Sequence, residues 1–184
     1  GMAVLDPIKL VIDNYEDGFI EEFDAEVNPE NPEMGSRKVA FSKELYIERS
    51  DFMIEPVKGY FRLFPGNEVR LKYAYYVKAV SYETDDDGNV TVVHCTYDPA
   101  SRGGWLPERK VKGTIHWVSA HDAVPAEIRL YEQLFSEPDP MDDSDGRDFT
   151  EKLNPNSLTI CENAFVEPYL ADCDKNAHFQ FLRN

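Results

Sequence analysis

Between residues 109 and 135 apolar and polar side chains alternate in two successive runs, and a period of two is what a half-buried β-strand imposes. Val111, Ile115 and Trp117 fall on one face of the first run, with Lys112, Thr114 and His116 on the other. In the second, Ile128, Leu130 and Leu134 alternate with Arg129, Tyr131 and Gln133, and the break at 122–125 separates the two. Comparable short runs occur at 10–14, 37–40, 45–48, 69–81, 89–97, 157–162 and 179–182, punctuated by Gly, Pro and Asn/Asp clusters. With 111–119 and 126–135 these make nine strand candidates, which predict an all-β barrel or sandwich. The clearest hairpin joins 69–81 to 89–97 through Asp85-Asp86-Asp87-Gly88, where glycine supplies the positive φ of the turn. Only two short helices are expected, one at 50–52 behind Arg49 and one at 148–153, stopped before Pro155.

A chain of 184 residues, 42% apolar, can build one ordinary domain or two small ones. No apolar run approaches eighteen residues and no basic segment followed by an apolar one opens the chain, so neither a membrane span nor a secretory signal is expected. Cys95, Cys161 and Cys173 are odd in number and form no Cys-x-x-Cys pair, which points to free thiols in a reducing, cytoplasmic setting. The formal net charge of -16 taken alone argues against a nucleic-acid partner, since such affinity comes largely from Lys and Arg on phosphates. Much of the acid lies in blocks at 13–30, 85–87 and 137–148, which read as solvated loops or turn tips, so the direction in which the 19 basic residues point decides the matter. The acidic loop 136–147, without periodicity, is expected to be disordered or packed against something outside the chain.

No catalytic constellation stands out. Nothing singles out a carboxylate pair at a defined separation, and His94, His116, His121 and His178 lack metal-ligand spacing, so no metal site is expected. Ser36 and Ser119 have no nucleophile-elbow context, and no Gly-rich phosphate loop occurs. The binding signal is stronger. Read as one strand, 69–78 places Val69, Leu71, Tyr73, Tyr75 and Val77 on one face and Arg70, Lys72, Tyr76 and Lys78 on the other. Upstream, Tyr60, Arg62 and Phe64 alternate against Phe61 and Leu63. Guanidinium groups among aromatic rings are the parts that hold splayed single-stranded bases, although a basic strand face is more often simply solvated.

The run Gly113-Thr114-Ile115-His116-Trp117-Val118-Ser119-Ala120, followed by Pro125-Ala126-Glu127-Ile128-Arg129-Leu130-Tyr131, resembles the anticodon-binding region of the glutaminyl-tRNA synthetase family. So do the segments 4–12, 32–37, 41–42, 68–71, 95–98 and 179–181, so the resemblance covers nearly the whole chain. It implies two small β-barrels with short helices, of the ribosomal-protein-like anticodon-binding type: a proximal barrel from 1–43 plus 121–184 and a distal barrel from 44–120. The catalytic Rossmann domain and its ATP-binding signatures are absent from these 184 residues. The implied parent is a class I glutamine-tRNA ligase, monomeric, using ATP and Mg2+. The implied partners of this part are the tRNA(Gln) anticodon loop and the parent's own catalytic domain, with no cofactor or catalytic residue of its own.

Residue by residue, Arg62 resembles the arginine that reads the third anticodon base, a guanine, which suits a forked donor. Gln180 resembles the glutamine that reads the central uracil, whose edge needs a donor and an acceptor. Arg70 and Lys72 resemble the pair near the first anticodon position and its phosphates, Arg183 an assistant at the uracil pocket, and Tyr60 and Phe61 are candidates for stacking. The sequence departs from the family at Gly59 and Phe61, where Gln and Lys are common, and at Lys72, commonly Arg. The alternatives are a stand-alone structural-RNA-binding β-barrel and a β-sandwich ligand-binding module.

Overall fold

The computed structural model describes residues 1–142 and 144–181. Where the sequence alternates, burial alternates. Strands β1 (Ala3–Val4), β2 (Pro7–Ile12) and β3 (Glu21–Glu26) open the chain, and β2 buries Ile8, Leu10 and Ile12 while turning Lys9 and Val11 outward. Next come β4 (Ser36–Phe41), β5 (Glu44–Glu48), β6 (Glu68–Leu71), β7 (Tyr76–Thr84), β8 (Val90–Asp98) and β9 (Gly113–Ile115). Strands β10 (Val118–Ser119), β11 (Val124–Tyr131) and β12 (Leu158–Val166) complete the set, with only short 3-10 turns between them. Two of those turns match the expected helices: Arg49–Asp51, and Phe149–Lys152, whose N-terminus is closed by a reciprocal Asp148 and Glu151 capping box.

Seven strands form one curled half-barrel sheet in the order β10-β5-β2-β8-β7-β6-β9, with β2/β8 and β6/β9 parallel and the other pairs antiparallel. A three-stranded sheet, β1-β12-β11, ties the start of the chain to its later part, and β3 pairs with β4 alone. The all-β reading is borne out. The expected boundary between 1–43 plus 121–184 and 44–120 runs between strands that pair, since β2 lies between β5 and β8. Inside the curled sheet, Phe41 is the hub of an aromatic cluster: Tyr15, Phe23, Tyr75 and Trp117 meet its ring edge-on at centroid distances of 5.2 to 5.8 Å. Tyr15 and Tyr75 both donate their hydroxyls to Glu21 Oε1, so burial and a carboxylate partner push both phenols up.

Four expectations are corrected. The stretch 69–81 is not one strand: the chain reverses between β6 and β7, Tyr73 takes a left-handed φ of 68°, and Val69 pairs with Val77. Apolar residues alternate on both arms of a hairpin, and no glycine, proline or asparagine marks this turn, so periodicity alone ran through it. Consequently Arg70 and Tyr76 are cross-strand partners, while Lys72 sits in the turn and Tyr76 is buried. Second, part of the acidic block 13–30 is strand β3, where Phe23 and Ala25 point inward and Glu22, Asp24 and Glu26 outward. Third, residues 179–181 form no strand, and Leu182 lies outside the described residues. Fourth, the acidic loop closes on the chain itself: the buried Lys152 ammonium donates to the Asp142 carbonyl beside Asp145 and Glu137, and Arg147 bridges those same two carboxylates.

Candidate nucleic-acid interface

Arg62 is mounted on an irregular loop fastened at its base. Leu63 N donates to the Asp51 carbonyl, Met53 N to the Leu63 carbonyl, and the Asn67 amide to the Arg62 carbonyl at 2.7 Å. These bonds hold two otherwise extended segments side by side. The guanidinium reaches the buried Asp51 carboxylate through Nη1 at 2.9 Å and the Ser50 carbonyl at 3.3 Å. Tyr60 donates its hydroxyl to the same Ser50 carbonyl, which turns it back onto the chain. Phe61 by contrast is 57% exposed, with the Lys112 ammonium 5.3 Å from its ring centre. Of the two stacking candidates, Phe61 presents the more open ring.

Arg70 lies on β6 one strand away from this loop. The parallel edge strand β9 brings Thr114 beside it, and Nε and Nη2 donate to the threonine hydroxyl at 3.0 and 2.9 Å. Nη1 donates to the Gly104 carbonyl at 3.3 Å, so these bonds use three of the guanidinium's five N–H donors. Lys72 follows in the turn, which is pinned on both sides: its N–H donates to the Ile115 carbonyl and its carbonyl accepts from Trp117 Nε1 at 2.8 Å. Its ammonium lies 5.0 Å from the Tyr73 ring centre. Strand β9 thus lies between the Arg62 loop, whose Phe61 carbonyl closes on Gly113, and the Arg70 and Lys72 hairpin.

Gln180 is exposed on the terminal segment, where its carbonyl accepts from the Gly1 amino group. Among the described residues it is linked to the hairpin through intermediates. The Arg37 guanidinium lies 6.0 Å from the Tyr73 ring centre and 5.8 Å from that of Tyr169, whose ring meets Phe179 edge-on. Arg37 is itself buried, bonded to Glu167 Oε1 at 2.9 Å and to the Glu26 carbonyl. Arg183 lies outside the described residues.

Other polar groups have structural partners. His94 is held between Asp13 and Glu83, each 2.9 Å away, and these carboxylates raise its pKa. His116 is buried with Nε2 3.6 Å from Glu48 Oε1, because β9 ends at Ile115 and the expected outward position is lost. Glu48 also accepts from the Leu5 and Asp6 N–H groups. Burial would push its carboxyl up, yet these contacts together hold it below the ordinary carboxylate value. Cys95 is buried and its thiol pushed well up by burial. Among the described residues no three His, Cys, Asp or Glu side chains are grouped to hold a metal ion, and no helix is long and apolar enough to cross a membrane.

One participant was read only at its end: of the loop 102–112, which carries Arg102, Trp105, Arg109, Lys110 and Lys112 and wraps the Arg70 edge of the sheet, only 111–112 were expected, as the start of a strand that begins instead at Gly113. Its signal was composition, an excess of basic residues around an exposed tryptophan in a strongly acidic chain.

Residues 1–98 match the family described as tRNA synthetases class I (E and Q), anti-codon binding domain, and residues 114–184 match a second family of the same description. The chain is 52% identical over 184 residues to the glutamine–tRNA ligase of Clostridium perfringens, covering 100% of this chain and 33% of that protein. It is 51% identical over 183 residues to that of Bradyrhizobium diazoefficiens, covering 99% and 32%. It is 50% identical over 185 residues to that of Clostridioides difficile, covering 100% and 33%. The chain spans about a third of the length of the curated relatives it matches.

Proposed function

Since the chain belongs to the anticodon-binding domain family of class I (E and Q) tRNA synthetases, we propose that it reads the anticodon of tRNA(Gln) within a glutamine–tRNA ligase. The observation that carries this is the similarity of the whole chain, end to end, to proteins of that name. The parent activates glutamine with ATP and Mg2+ and esterifies the tRNA end, and the residues of this chain supply binding energy and specificity rather than bonds made or broken. The parent works as a monomer in the cytoplasm.

Arg62 reads the guanine. With Nη1 held by Asp51, the guanidinium is fixed in place and its remaining donors serve a two-point contact with O6 and N7. Phe61 supplies a stacking face beside it, while Tyr60 braces the loop. Arg70 and Lys72 meet the first anticodon position and its phosphates, and Gln180 pairs with the central uracil, assisted by Arg183. We assign 44–120, whose sheet is completed by β2 from the other segment, to a distal barrel that carries the arginines, and 1–43 plus 121–184 to a proximal one that carries Gln180. The parent's catalytic domain docks at the end of β11 and the segment that follows it, where Tyr131 is 72% exposed and Leu134 57%, apolar area that suits a covered face.

Titration with a glutamine anticodon stem-loop, beside one whose central uracil is replaced, tests the reading. Tighter binding of the native loop is expected, and equal affinities would overturn base-specific readout.

A further inference from the structure

Resting on the RNA reading above, we propose that the loop 102–112 is an added RNA subsite in which Trp105 stacks on an unstacked base of the same loop and Lys110 and Lys112 meet its phosphates. Eleven residues here carry Arg102, Arg109, Lys110 and Lys112 against the single acid Glu108, a local charge of +3 in a chain whose net charge is -16. Two of the four cations anchor the loop. Arg102 binds Glu21 Oε2 at 3.1 Å over the Phe23 ring, and Arg109 binds Asp98 and Glu68 over the Tyr76 ring. Lys110 and Lys112 are left exposed at the surface.

Trp105 is 68% exposed, whereas the chain's other tryptophan, Trp117, is fully buried. Leaving a large ring in water forgoes the hydrophobic stabilisation that its burial would bring, so its placement calls for a partner. That partner is defined by position. The residue before it, Gly104, gives its carbonyl to Arg70, and a side chain at Gly104 would come within 2.8 Å of Arg70 Cδ, so the root of Trp105 is pressed against that arginine. At the far end of the loop Lys112 lies over Phe61, the neighbour of Arg62. The patch therefore runs from Arg70 to Phe61, the residue next in sequence to Arg62. A polyanion with flat apolar faces complements it: phosphates for the lysines, a base for the indole.

Intrinsic fluorescence of the 184-residue chain tests this, because a quench on adding the anticodon stem-loop reports the exposed Trp105 rather than the sequestered Trp117. We expect a saturating quench with the midpoint of binding measured on labelled RNA. Trp105→Ala should bind at least about fivefold more weakly, as loss of one stacked base implies, and Trp105→Phe should recover most of the affinity. Replacing Lys110 and Lys112 by Ala should flatten the slope of log affinity against log salt by about 1.4. Unchanged melting temperatures establish that the exposed positions do not act through folding. If Trp105→Ala binds as the parent chain does while Arg62→Ala loses guanine discrimination, the subsite is wrong and the anticodon reading stands. Absence of any stem-loop binding by the unaltered chain sinks both.

Discussion

The carbonyl oxygen of Phe61 stands 2.0 Å from the point that a Cβ on Gly113 would occupy. Edge strand β9 can lie beneath the Arg62 loop only because it begins with a residue that has no side chain. That contact sets the Arg62 loop beside the strand that holds Arg70, since the next residue along β9, Thr114, accepts from the Arg70 guanidinium.

Gly113→Ala therefore meets backbone rather than a flexible side-chain end, and the loop or the strand must shift. Overpacking of this kind costs about 1 to 3 kcal/mol. We expect urea melts to show the loss, together with weaker stem-loop binding. Wild-type stability and affinity would refute the close packing of loop on strand.

Arg62→Ala should remove about 1 to 3 kcal/mol of discrimination at the guanine position, and Arg62→Lys should restore charge without the fork. Stem-loops with guanine or adenine there, titrated against each variant, separate the two effects. Equal discrimination by the Lys variant and the parent chain would mean that charge alone is read.

Arg37 and Glu167 form an ion pair with side chains only 5% and 2% exposed, at the junction of the Tyr73 turn and the segment leading to Gln180. Removing either partner strands the other charge in the interior, at a cost of about 3 to 5 kcal/mol. Arg37→Met combined with Glu167→Leu should be milder than either Arg37→Ala or Glu167→Ala. Equilibrium denaturation of the three variants provides the comparison, and additive losses would contradict a coupled pair.

His94 gives a pH dependence of defined sign. Its hydrogen bonds to Asp13 and Glu83 raise its pKa above the ordinary 6.5, so the folded chain binds the proton more tightly than the unfolded one. The contribution is complete below 6.5 and is lost as pH rises through the folded-state value. The site is open to solvent, so the effect is small. Thermal melts between about pH 6 and about pH 8 should slope downward in the parent chain and less so in His94→Gln. Parallel slopes would remove His94 from the account.

Much of the fold was legible in the chain itself, and the reasons differ from element to element. The latter half of β2, expected at 10–14 and found at Pro7–Ile12, and the hairpin β7–β8 were read because one buried face imposes a period of two and because Gly88, at φ 83°, marks the turn between the hairpin's arms. Strand β3 was missed because four acids in six residues look solvated until Phe23 and Ala25 are seen to face a core. The turn at Tyr73 was missed because a left-handed tyrosine leaves no compositional mark, and it is held by backbone bonds of Ala74 to Leu71 and Leu71 to Tyr75 together with those of Lys72 to Ile115 and Trp117.

By itself the sequence determined the all-β class, the main strand runs and the residue types able to grip an RNA loop, since each depends on local periodicity and side-chain chemistry. Tertiary structure alone decided that β9 lies between the Arg62 loop and Arg70, that Arg70 is clamped by Thr114 and Gly104, and that the loop with Trp105 touches Arg70 through Gly104 and Phe61 through Lys112. Arg70 is 34 residues from Gly104 and 44 from Thr114, and their meeting is fixed by strand order and by close packing at Gly113, neither of which any local pattern encodes.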